Sequence, residues 1–226
     1  MELILPDWPV PPRVRAVSTT RVGGVSPAPF DGLNLADHVG DDSAHVARNR
    51  ALLRDRLALP AEPLWLAQVH GCEVADAGNA TPGCAADAAV ARAPGQVCAV
   101  MTADCLPVLL CGRGGRAIAA AHAGWRGLTA GVIEQTVAAL GADSDEVVVW
   151  LGPAIGPEAF EVGGEVREAF VGEDPEAAAD FRARGAGKWL ADLYGLARRR
   201  LGRAGVRRVY GGGLCTYSDP ARFYSF

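Results

Sequence analysis

Two short stretches place reactive side chains where an apolar chain is expected. In "MTADCLPVLL", residues 101–110, Asp104 and Cys105 interrupt a strand-like hydrophobic run, and in "AAAHAGWRGL", residues 119–128, His122 does the same. A third segment, "LWLAQVHGCEV", residues 64–74, carries His70 directly before Gly71. A polar or charged group in such a run costs free energy unless it is hydrogen-bonded, paired or bound to a metal, so each of these residues calls for a partner. The chain has four histidines, His38, His45, His70 and His122. His38 falls in a polar loop and His45 in the first turn of a helix, where surface or capping roles are expected. His70, Cys105 and His122 instead each close a buried-looking strand. Strand ends are where α/β sheets open the crevices that hold ligands.

Two imidazoles and a thiolate make a three-ligand set. Catalytic zinc commonly keeps three protein ligands and one open position, and it lowers the pKa of bound water to about 7. Asp104 beside Cys105 would orient a histidine or a water, or simply be a satisfied turn carboxylate. The same atoms admit other chemistries. Cys105 and His122 would serve as a metal-free nucleophile and base. A His2Cys set also holds copper when a methionine supplies a weak axial ligand, for which only Met1 and Met101 exist. Four histidines are too few for a multicopper oxidase. A non-enzymatic module with structural zinc is a further reading; residue types alone put zinc-dependent hydrolysis or lyase chemistry ahead of these rivals.

The elements that must position these residues follow from periodicity. "RVRAVSTTRVGG" (13–24) reads as a strand, and the Pro-, Gly- and Asp-rich stretch 25–42 as loop. A helix is expected from an N-cap at Asp42 or Ser43 to about Leu59, before Pro60. Residues 63–74 read as a strand broken at Gly71, and "ADAAVA" (86–91) as a short one. "QVCAVMTADCLPVLLCG" and "RAIAAAHAG" are near-continuous apolar runs that suit strands buried on both faces. Trp125, Leu128, Val132, Ile133, Thr136, Val137 and Leu140 mark one helical face, and "EVVVWLG" (146–152) returns to strand. Helices are expected at 163–171 and 188–204, with a weaker one near 175–183; "RRVYGG" and "RFYSF" read as late strands. The sum is a single α/β domain spanning 1–226, with mixed sheet layers flanked by helices.

Composition bounds the function. Half of the 226 residues are hydrophobic and 21% are charged, a globular balance that buries a core without staples. A net charge of −4 argues against a phosphate-driven nucleic-acid binder. The local "LARRRLGRAGVRR" (196–208) reads as the solvated face of a helix. Six cysteines at irregular spacing, with no Cys-x-x-Cys, point away from a disulfide framework or zinc ribbon. "MELILPDWPVPP", with its early acid and prolines, lacks signal-peptide character, and no apolar run reaches membrane-span length. A cytoplasmic location is expected.

The motifs "STTRVGGVS", "LNLADHVGDD", "VARNR", "QVHG", "TADCLPVLL", "AAHAGWRGL", "WLGPAIGPEAFEVG" and "CTY" together resemble the YfiH-like, laccase-domain family, in order and over nearly the whole chain. "ADCLP" followed by "HAGWRG" is the specific part. The resemblance implies a YfiH-like α/β fold and a zinc ion held by His70, Cys105 and His122. The family name implies copper-dependent phenol oxidation. The activity that the resemblance implies more strongly is purine nucleoside phosphorolysis: adenosine, inosine or methylthioadenosine plus phosphate gives base and sugar 1-phosphate. Adenosine deaminase activity accompanies it, and a role in editing cell-wall precursors is also attached to bacterial members. The zinc-deaminase signature H-x-E with P-C-x-x-C is absent here, so deamination would use another scaffold. Phosphate calls for arginine donors; Arg21, Arg50 and Arg126 lie within the motifs, with Ser18 and Thr19 as possible hydroxyl donors. Asp104 and Glu161 are the candidates for a general acid. The implied partners are a small nucleoside and phosphate, not nucleic acid or membrane, with the chain a monomer or homodimer. Family members usually continue past an "FFSY"-like strand into an Arg-Arg segment and a "TGR" motif, whereas this sequence stops at "RFYSF".

Overall fold

A computed structural model describes residues 1–226. A two-residue pair, β1 (Leu3–Ile4) with β2 (Ser18–Thr19), precedes the first helix, α1 (Ser43–Leu57). The expected cap is in place: the Asp42 side chain accepts from the Ala44 N–H at 2.8 Å, which satisfies one of the free donors of the first turn. Six strands then form the main sheet. They are β3 (Val74–Asp76), β4 (Ala88–Ala91), β5 (Leu106–Cys111), β6 (Ile118–Ala123), β7 (Val148–Leu151) and, last in the chain, β11 (Arg208–Gly211). Their spatial order is β11-β7-β5-β6-β4-β3; the outer pairs β11–β7 and β3–β4 run parallel and the inner pairs antiparallel.

Two short helices, α2 (Trp125–Ala130) and α3 (Val132–Leu140), follow β6. The single helical face read across 125–140 is split because Gly131 adopts φ 91° and closes α2 as its C-cap. A three-stranded layer, β8 (Glu161–Val162), β9 (Phe181–Gly185) and β10 (Lys188–Ala191), lies in the order β8-β10-β9. The helices α4 (Gly164–Val171) and α5 (Leu193–Arg203) complete the fold.

The alternation of β4 and β6 divides the core. Ala88, Val90, Ala119, Ala121 and Ala123 face the main cluster with Leu128, Val132, Ile133, Val137 and Leu140 of α2 and α3. Small alanines on the strand leave room for those helices. A fully buried leucine such as Leu128 contributes about 1.5–3 kcal/mol by transfer alone. The other parity faces a smaller cluster of Leu64, Leu66, Ala75, Ala86 and Ala89.

Several expectations change. The strand read over 13–24 shrinks to Ser18–Thr19. The strand read over 63–74 is irregular chain: Leu64 and Ala67 make isolated parallel bridges to Cys98 and Ala85, and pairing starts only at Val74. The run 96–112 is strand only from Leu106, so Cys105 precedes its strand rather than ending it. The helix read over 188–204 divides into β10 and α5, and 175–183 into a 3-10 turn and the start of β9. "RFYSF" forms no strand. The arginine run is not simply solvated. Arg200 is 5% exposed and donates to the Leu128 and Thr129 carbonyls, while Arg198 reaches the Gly211 carbonyl and Arg199 the Asp180 carboxylate.

Candidate metal centre

The site grows from one cross-strand pair. The β4–β6 register, Ala88 opposite Ala121 and Ala89 opposite Ala120, runs on to Asp87 opposite His122, whose backbone N–H donates to the Asp87 carbonyl at 2.7 Å. Opposed residues put their side chains on the same sheet face, here the face away from α2 and α3. Asp87 is 0% and His122 3% exposed. His122 Nδ1–H donates to Asp87 Oδ1 at 2.8 Å, which fixes the tautomer and leaves Nε2 for the site.

The same carboxylate organises the second histidine. Asp87 accepts from three successive backbone N–H groups, those of Val69 at 3.1 Å, His70 at 2.9 Å and Gly71 at 2.7 Å. That nest holds His70 at φ 60°, a left-handed conformation unusual for a side-chain-bearing residue. It turns the His70 ring edge-on to His122, with centroids 4.7 Å apart at 73°. His70 is thus placed by a carboxylate anchor on an exposed loop, not by a strand.

Cys105 enters from β5, one residue before the Leu106–Ala123 pair. Its thiol lies over Gly124: a Cβ at that position would stand 2.6 Å from Cys105 Sγ and 3.4 Å from His70 Cδ2. Only a glycine lets the start of α2 pass this close. One potential ligand atom from each of His70, Cys105 and His122 lies within 4.8 Å of the others. Two imidazole nitrogens and a thiolate suit zinc or copper rather than magnesium or calcium, which prefer oxygen.

The electrostatics separate the two histidines. Partial burial of the His70 ring, with His122 beside it, lowers its pKa and favours the neutral, ligand-ready form. Burial also opposes charge on His122, but the hydrogen bonds to Asp87 and Cys105 outweigh it and push its pKa up to about 9. Burial alone would raise the pKa of Asp87, yet the donors from His122, Gly71 and Val69 hold it below the ordinary value.

The other expected residues separate as well. Arg126 is exposed, close enough to His70 to act on its charge, and its guanidinium lies over its own Trp125 ring, 4.5 Å from the centroid, without a carboxylate partner. Arg50 stacks on Trp65 and donates to the Leu35 carbonyl, with Asp37 at 3.3 Å. Arg21 is committed to Asp31 and to the Pro220 carbonyl. Asp104 orients neither histidine; its two oxygens accept from Thr216, Ser225 and Phe226. Glu161 pairs with Arg184 in the three-stranded layer, and Ser18 and Thr19 lie in β2. His38 lies 3.6 Å from the Asp37 carboxylate, and His45, in the first turn of α1, 3.6 Å from that of Asp41. Asp87 was not among the expected residues. Its signal was available, an acid inside the alanine-valine run "ADAAVA".

The description "Multi-copper polyphenol oxidoreductase laccase" belongs to the family model that matches residues 15–226. The chain belongs to the YfiH-like, laccase-domain family. Among its relatives, a purine nucleoside phosphorylase of Pseudomonas aeruginosa is 57% identical over 224 residues, covering 99% of this chain and 91% of the relative. Purine nucleoside phosphorylase YfiH of Escherichia coli is 53% identical over 226 residues, covering 100% and 93%. The crystal structure of a Neisseria meningitidis protein described by the family model DUF152 superposes with a TM-score of 0.95 at 49% identity, over 99% of this chain and 92% of that one. YlmD of Geobacillus stearothermophilus gives 0.88 at 29% identity, over 95% and 87%. The YfiH-like fold expected from the motifs is the fold observed, and a histidine-cysteine-histidine group able to hold a metal is part of this family member.

Proposed function

We propose that this chain is a zinc-dependent purine nucleoside phosphorylase acting at His70, Cys105 and His122. The observation that carries the reading is the convergence of those three donor atoms within 4.8 Å, with buried Asp87 fixing two of the three residues and His70 at the surface. The names of the relatives, purine nucleoside phosphorylases at more than half identity, supply the substrate class. Zinc, when bound, supplies Lewis-acid polarisation of an oxygen ligand at neutral pH. The chain's own groups do the rest. Asp87 holds His122 in one tautomer, and Gly124 admits the thiol. Arg126, whose guanidinium no carboxylate engages, binds the incoming phosphate near the ribose C1′. There the N-glycosidic bond breaks and the base and sugar 1-phosphate form. Deamination of adenosine at the same centre is the accompanying activity.

A second reading draws on the proximity of Cys105 and His122, whose sulfur and ring nitrogen lie within 4.8 Å, a pairing that would serve as nucleophile and base. Metal analysis of the purified protein separates the two: one zinc per chain that survives dialysis supports the first, and full activity after exhaustive chelation supports the second. Copper in place of zinc is read by the same analysis. Adenosine with phosphate should yield adenine and ribose 1-phosphate, and Cys105→Ala should abolish the yield. Absence of product from the zinc-loaded protein overturns the proposal.

A further inference from the structure

Asp104 immediately precedes Cys105, and its backbone is left-handed, with φ 80°. That conformation costs a non-glycine residue about 1–2 kcal/mol and persists only where the surroundings impose it. The imposing contacts come from far along the chain. Asp104 Oδ1 accepts from Thr216 Oγ1 at 2.6 Å. Oδ2 accepts from Ser225 Oγ and from the Phe226 backbone N–H, each at 2.9 Å. The Asp104 carbonyl accepts from the Ile155 N–H at 2.9 Å. The loops after β7 and β11 and the C-terminal segment thus meet on the residue next to a candidate ligand.

We infer that Asp104 is the positioning residue for the Cys105 thiol, and that the 216–226 segment sets metal affinity through it. The inference rests on the metal reading above. From Leu106 onward β5 is pinned by its register with β6. Any relaxation of Asp104 toward a right-handed conformation is therefore taken up at Cys105. The thiol sits against Gly124, where a Cβ would stand 2.6 Å from Sγ, so a small displacement there changes its place relative to the two histidines. Asp87 holds the two histidines and Asp104 holds the chain at the cysteine, so the donor set has two separate carboxylate anchors.

The test is cobalt(II) binding by the full chain, read by chelator competition and by the thiolate-to-cobalt charge-transfer band. Asp104→Ala and Asp104→Asn should weaken binding about ten- to a hundredfold, the usual effect of losing an outer partner, and should diminish or shift the band. Thr216→Val and Ser225→Ala should move both readouts the same way by less, and Thr216→Ser should restore them. Wild-type affinity with an unaltered band in the Asp104 variants overturns the inference. If those variants fail to fold, the same result in the Thr216→Val, Ser225→Ala double variant overturns it. Should the wild type take up no ion, the metal reading falls instead. The coupling is then decided by the alkylation rate of Cys105, mapped by peptide mass spectrometry. A rate changed by these substitutions supports it, and an unchanged rate overturns it.

Discussion

The Asp87 carboxylate and the His122 imidazole stand 2.8 Å apart across two neighbouring strands, both sealed from solvent. All four contacts to the carboxylate oxygens are donors, three backbone N–H groups and the imidazole N–H. An amide at this position must aim its NH2 at a donor whichever way it is turned. Asp87→Asn should therefore lower metal affinity about ten- to a hundredfold and cost about 1–3 kcal/mol of stability. Chelator competition and urea unfolding of the ion-free protein check the two effects.

The same pair predicts how the ion-free protein responds to pH. His122 titrates near 9, above the ordinary 6.5, so its contribution to stability is complete below about pH 6.5 and disappears as pH rises through about 9. Asp87 is depressed below 3.8, so its contribution is present above that value and disappears as pH falls through the lowered pKa. Melting temperature should decline on both sides of this window. Asp87→Asn should flatten both slopes, and a bound ion should remove the alkaline decline because His122 then needs no proton.

Gly124 sits at φ −71°, a backbone any residue accepts, so alanine there tests close approach without strain. Gly124→Ala should leave the melting temperature of the ion-free protein within a few degrees and displace the Cys105 thiol. Metal stoichiometry at micromolar zinc should fall well below one.

Arg126 and Arg21 should behave differently although both lie in family motifs. Arg126→Ala should raise the phosphate KM about 10- to 100-fold, the value of a charge-assisted hydrogen bond, with little change in melting temperature. Arg21→Ala should leave that KM nearly unchanged and lower stability, since it removes the ties to Asp31, Pro220 and the Tyr224 ring. Steady-state kinetics with varied phosphate, beside thermal melts, separate the two outcomes.

The legible part of the fold was the part governed by short-range rules. Asp42 as N-cap, the strands at 88–91, 118–123 and 148–151, and the helix at 164–171 follow from capping chemistry and apolar patterning. Gly131 splitting one helical face in two is a single-residue backbone effect that periodicity does not weigh. The segment around His70 misled for a different reason. Its apolar residues face a small secondary cluster, and its conformation is dictated by Asp87, 17 residues on. The three candidate donors are legible because their types interrupt apolar runs. Asp87 interrupts one too, but its strand is short and its partners are distant in sequence. Asp104 interrupts its apolar run just as visibly, yet its contacts lie more than a hundred residues away.

His122 stands on β6 and Cys105 one residue ahead of β5, while His70 rides on an exposed loop. An ion would therefore reach this centre from the His70 side, past a loop that three hydrogen bonds to Asp87 hold in place. Access to the donors becomes a property of residues 69–71, adjustable there without redesign of the sheet.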